Sequence, residues 1–77
     1  MQLPVVDMRR TGERISALRQ AQGLSVRQLQ RLLGFATPQA IYKWQHGETL
    51  PTIDNLVALS AILKVPISEI LVTNPNV

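Results

Sequence analysis

The chain has 77 residues, no cysteine, one histidine and a formal net charge of +3, with 45% of its residues hydrophobic. That is one domain, near the lower size at which a core stands without staples, and it excludes a disulfide scaffold, a thiolate or multi-histidine metal site and a disordered tail. No apolar run approaches the roughly 18–20 residues of a membrane span, and MQLPVVDMRR lacks the basic-then-apolar order of a signal peptide, so a cytoplasmic, cofactor-free protein is expected.

Residues 1–6 read as a short arm, with Val5 and Val6 extended, and no segment shows convincing strand alternation. A first helix is expected from Asp7, a good N-cap, to just before Gly23, with Ile15 and Leu18 as core anchors and Gly12 as a weak spot. The second helix carries the clearest signal. Ser25 and Gln28 have capping-box spacing, Val26, Leu29, Leu32 and Leu33 form an apolar stripe, and Gly34 ends it. Arg27, Gln28, Gln30 and Arg31 take the outer face.

Thr37 is the expected N-cap of a third helix, with Pro38 at its first position and Gln45 near its end. Ile41 and Trp44 face inward, whereas Gln39, Ala40, Tyr42 and Lys43 are left outside. A fourth helix follows the Thr52 cap and buries Ile53, Leu56, Leu59, Ile62 and Leu63. Val65-Pro66 breaks the chain before a short fifth helix, Ile67 to about Val72. That segment is richer in apolar residues than one short face can bury, which would suit a contact with another protein. Residues 73–77 are expected to fray. The fold class expected is all-α, a compact five-helix bundle over residues 7–72.

Two short helices joined by Gly34-Phe35-Ala36-Thr37 form a helix-turn-helix candidate, though short helical hairpins also occur in ordinary bundles. The residues facing outward on the third helix have DNA-reading chemistry. Gln39 can bond adenine bidentately, and Lys43, on the same face, can reach guanine or a phosphate. Residues 1–46 hold seven basic side chains against two acids, a net +5, whereas residues 47–77 carry −2. No acid lies between Glu13 and Glu48. Such asymmetry fits one polyanion-binding face. Arg27 and Arg31 are the stronger candidates for that face, and Arg9, Arg10 and Arg14 are expected to be solvated. His46 lacks the partners that catalysis or metal ligation requires, and no Gly-rich phosphate loop exists, so no enzyme is expected.

Taken together, Ile15…Leu18-Arg19, Leu24 to Leu29, Leu33-Gly34, Ile41-Tyr42-Lys43-Trp44, Gly47, Pro51, Leu56…Leu59 and Val65 to Leu71 resemble the Cro/repressor-type (XRE-like) helix-turn-helix domain over most of the chain. The resemblance implies a regulator that binds double-stranded DNA, often as a homodimer on an inverted repeat. It places base reading on Pro38, Gln39 and Lys43, and phosphate contacts on Ser25, Val26, Arg27, Gln28, Thr37, Tyr42 and the loop at His46 and Gly47. Three features depart from the family pattern. The turn before the third helix is one residue longer than usual. Pro38 has no polar group to offer a base. Gln45 stands where the family often has a Glu paired with the residue equivalent to Arg19. The alternative to a DNA reader is a protein-interaction module on the same fold, such as an antitoxin that covers a partner.

Overall fold

The computed structural model describes residues 3–75; Met1 and Gln2 of the arm and Asn76 and Val77 of the tail lie outside the described residues. Strand β1 (Pro4–Val6) is followed by helices α1 (Met8–Ala21), α2 (Val26–Leu33), α3 (Gln39–Gln45), α4 (Ile53–Leu63) and α5 (Ile67–Ile70), and by strand β2 (Thr73–Pro75). The result is an all-α five-helix bundle, joined at its ends by a two-stranded sheet. None of its helices is long and apolar enough to cross a membrane.

The cap chemistry places the helices. Asp7 accepts from the Arg10 backbone N–H at α1, and Thr52 accepts from Asn55 at α4. At α2 both arms of the capping box form: Gln28 N–H donates to Ser25 Oγ, and Ser25 N–H to Gln28 Oε1. Ile15 of α1, Leu29 of α2, Ile41 and Trp44 of α3, Leu56, Leu59 and Leu63 of α4 and Ile70 of α5 make the core.

Leu18 and Ile62, expected in it, pack against it half-buried. Two further expected core residues are exposed, Ile53 at 74% and Leu32 at 58%. At about 100° per residue, Ile53 and Leu32 each stand roughly a quarter turn from the buried direction of their helix. The apolar arc of each helix is therefore wider than the arc its neighbours cover.

The chain ends differ most from expectation. Residues 73–75 do not fray but pair antiparallel with the arm, Pro4 opposite Pro75, Val5 opposite Asn74 and Val6 opposite Thr73. Helix α5 stops at Ile70, because Leu71 is extended and the backbone of Val72 is already engaged. Asp7 N–H donates to the Val72 carbonyl at 2.8 Å, and Val72 N–H donates to Thr11 Oγ1 at 3.0 Å. Thr11 is thereby fully buried yet satisfied. Of the apolar Ile67–Val72 segment, Ile70 is buried and Leu71 and Val72 are half-buried, so the fold itself consumes most of it.

Asp7 ties the two ends together. Its carboxylate accepts from Arg10 N–H at 2.9 Å and from Asn74 Nδ2 at 2.6 Å. The backbone bond from Arg10 chiefly, with the Asn74 bond and the nearby charges of Arg10 and Arg9, holds the carboxyl below its ordinary value of 3.8. A depressed carboxylate stabilises the fold fully above the unfolded value and loses that contribution as pH falls through the folded one. The expected result is that wild type and Asp7→Asn differ in thermal midpoint at pH 6 and converge well below pH 4, where both side chains are neutral. A gap unchanged from pH 6 to pH 2 would show that the charge contributes nothing.

Candidate nucleic-acid interface

Helix α2 is held at its C-terminus by Gly34, in the left-handed conformation, and four further residues, Phe35 to Pro38, lead to α3. Two contacts lock this turn. Phe35 N–H donates to the Gln30 carbonyl at 3.0 Å, and Gln30 Nε2 donates to the Phe35 carbonyl at 3.2 Å. The Phe35 ring meets Trp44 edge-on at 5.7 Å, which fixes the turn against the inner face of α3. Gln30, expected on the outer face, is half-buried because it serves the turn. Neither residue carried a sequence signal beyond its polarity or size.

Thr37 does not cap α3. The N-cap position falls on Pro38, whose side chain makes no cap bond, and the helix begins at Gln39. The longer turn carries the chain one residue further before helical geometry starts, which leaves the Thr37 side chain exposed.

Helix α3 is clamped to α1 from behind. A Cβ on Gly12 would overlap the Trp44 carbonyl oxygen and lie 2.9 Å from that of Gln45, so only glycine lets the helices approach this closely. Gly47, at φ +74°, sits with its Cα hydrogens against Arg9, whose Cα is 2.7 Å from where a Cβ would stand. Arg19 adds a polar brace: Nε donates to Gln45 Oε1 at 3.0 Å and NH1 to the Leu24 carbonyl at 2.7 Å. The expected pairing of Arg19 with a neutral amide therefore exists, with a backbone carbonyl as second partner.

With Ile41 and Trp44 buried, Gln39, Tyr42 and Lys43 are left on the exposed side of α3. Ser25, Arg27, Gln28, Thr37 and His46 are exposed as well, and Pro38 is half-buried. An open groove of about 400 Å³ between α2 and α3 brings Arg27, Arg31, Thr37 and Tyr42 to one place, over a floor that includes Val26 and Pro38. The Tyr42 ring stacks with that of His46, centroids 6.3 Å apart and 27° between planes, which extends the same surface to the end of α3. The surface offers guanidinium, ammonium, hydroxyl and amide groups and no carboxylate, a donor-rich strip suited to phosphates and base edges.

A helix-turn-helix family model matches residues 15–70. No curated protein matches the chain. Among solved structures, the restriction-modification controller protein C.AhdI from Aeromonas hydrophila is 26% identical with a TM-score of 0.74, over 83% of this chain and 96% of that one. The BldD DNA-binding domain of S. venezulae is 22% identical with a TM-score of 0.72, over 86% and 97%. The clp gene regulator ClgR from C. glutamicum is 13% identical with a TM-score of 0.74, over 88% and 86%. The chain belongs to the helix-turn-helix family of the Cro/repressor type, a family of DNA-binding regulatory domains and not of enzymes.

Proposed function

We propose that the chain is a sequence-specific transcriptional regulator, a repressor, that lays α3 in the DNA major groove. The observation that carries this reading is the acid-free, donor-rich strip from α2 across α3, set on a helix that glycine contacts and the Arg19 brace hold firmly from behind. The likeness to a restriction-modification controller and a gene regulator supports it. In this reading Gln39 and Lys43 contact bases and Pro38 gives apolar contact. Ser25, Arg27, Gln28, Thr37, Tyr42 and His46 hold phosphates, Gln28 through its amide N–H₂, since its oxygen is engaged in the capping box. The reading unit is the domain at residues 7–72, flanked by the arm at residues 1–6 and the tail at residues 73–77, of which residues 4–6 and 73–75 pair. Occupancy of a promoter groove then excludes other proteins from it, and a homodimer reads an inverted repeat.

The test is selection of bound duplexes from a random library at about 0.15 M salt, where non-specific binding is only about 10⁻⁴–10⁻⁶ M. An enriched inverted repeat with half-sites about one helical turn apart is expected. Failure to enrich any sequence would overturn the reading. On the selected site, Gln39→Ala is expected to relax preference at one base pair by about 1–3 kcal/mol. Arg27→Ala is expected to weaken all duplexes alike and to lower the salt slope by about one.

One observation favours a second reading, a protein-interaction module. Ile53 and Val57 stand one turn apart on α4, 74% and 56% exposed. A dimeric mass for the purified chain would assign that stripe to a second copy, within the first reading. A monomer that selects no DNA sequence would favour the module.

A further inference from the structure

We infer that Arg9 and Glu13 form an exchangeable ion pair at the α1 border of the DNA face: Arg9 pairs with Glu13 in the free protein and transfers to a DNA backbone phosphate in the complex. The inference rests on the DNA-binding reading and extends it to a helix that supplies none of the contacts named above.

The placement follows from packing. The backbone of Arg9 lies directly against Gly47, the residue after His46, so α1 begins beside the loop that leaves α3. His46 stacks on Tyr42, which lines the Arg27–Arg31 groove. On its other side His46 shares a second open groove with Glu13, Gln20 and Gln45. Glu13 Oε1 in turn accepts from Arg9 NH1 at 3.0 Å. The surface is thus continuous from Arg27 through Tyr42 and His46 to Glu13 and Arg9.

The chemistry of the pair suits exchange. Both side chains are largely exposed, 75% for Arg9 and 60% for Glu13, and this is the only ion pair among the described residues. An exposed i,i+4 pair contributes little in water, so it opens at small cost. A phosphate offers the guanidinium the same bidentate geometry as a carboxylate. Glu13 is the nearest acid in sequence before the acid-free stretch that ends at Glu48. While Arg9 covers it, its charge is masked, and on exchange it is left facing the DNA border. Arg14 is a built-in contrast: its Nε is committed to the Glu69 carbonyl at 2.6 Å, toward α5.

The experiment measures binding of a mixed-sequence duplex against salt for wild type, Arg9→Gln, Glu13→Gln, the double variant and Arg14→Gln, with circular dichroism confirming each fold. Arg9→Gln is expected to lower the slope of log K against log salt by about 0.9, one phosphate contact, whereas Arg14→Gln leaves the slope unchanged. Glu13→Gln is expected to tighten binding several-fold, and to do so less in the Arg9→Gln background. An Arg9→Gln slope equal to that of wild type, or a Glu13→Gln gain independent of Arg9, would overturn the inference while leaving the DNA reading intact. A wild type that binds no duplex would overturn both.

Discussion

Gly12→Ala is expected to destabilise the fold by about 2 kcal/mol or more, even though alanine is the better helix former by about 1 kcal/mol. The added methyl has no free direction. It meets the Trp44 carbonyl oxygen and comes within 2.9 Å of that of Gln45, both backbone atoms at the last turn of α3. A side chain could rotate away, but a carbonyl moves only if the helix does. Separating α1 from α3 would loosen Trp44, the largest side chain in the core, and lengthen the bonds of Arg19 to Gln45. A domain of this size has roughly 4–12 kcal/mol of stability in all, so the loss is a large share. Urea unfolding should show a lower midpoint at unchanged slope, with a thermal midpoint about 8–16 °C below wild type. Gly23→Ala is the control, with φ +69° but open space around it. It is expected to cost only about 1–2 kcal/mol, the left-handed penalty alone. A Gly12→Ala variant as stable as wild type would mean that the two helices are not in backbone contact.

The same glycine shows where sequence reading stops. In the sequence, Gly12 is a flaw in a helix; in the structure, it is the reason α1 and α3 can touch. Local signals were legible because their partners lie within a few residues: the Asp7, Ser25 and Thr52 caps, the Gln28 return bond and the Gly34 stop. Buried positions at the centres of apolar stripes, such as Leu29, Ile41 and Leu59, were legible too. The positions misjudged depend on distant chain. Ile53 and Leu32 lie at stripe margins, where only the neighbour decides burial. Thr37 has the right chemistry for a cap, but the extra turn residue moves the helix start past it. Pairing between residues 4–6 and 73–75 joins short segments with no alternation to reveal them; Asp7, Thr11 and Asn74 secure it from α1 and β2. For the interface, side-chain types on α3 were readable from periodicity, whereas the groove that gathers Arg27, Arg31, Thr37 and Tyr42 required the angle between two helices.

Arg19→Ala is the second large effect expected, a loss of about 2 kcal/mol. The half-buried guanidinium holds three segments at once: its own helix, the Leu24 carbonyl before α2 and Gln45 at the end of α3. Hydrogen bonds from a charged donor contribute about 1.5–3 kcal/mol each, and here both partners can rehydrate in part, which keeps the total near one such bond. Loss of the aliphatic stem adds to it. Arg19→Lys is expected to recover less than half, since a single ammonium cannot span the forked geometry. Gln45→Glu turns the brace into an ion pair. It gains less than about 1 kcal/mol, because the pair is only half-buried and a carboxylate at a helix C-terminus opposes the dipole. That variant should nevertheless bind DNA more weakly, since it places a negative charge next to His46 at the end of α3. In the DNA-binding reading, a neutral Gln45 keeps a further negative charge away from the end of α3. The measurement is a double-mutant cycle of Arg19→Ala with Gln45→Ala by urea unfolding, alongside duplex binding by Gln45→Glu. Additive losses in the cycle would show that Arg19 acts through Leu24 alone, and unchanged binding by Gln45→Glu would remove the end of α3 from the DNA face.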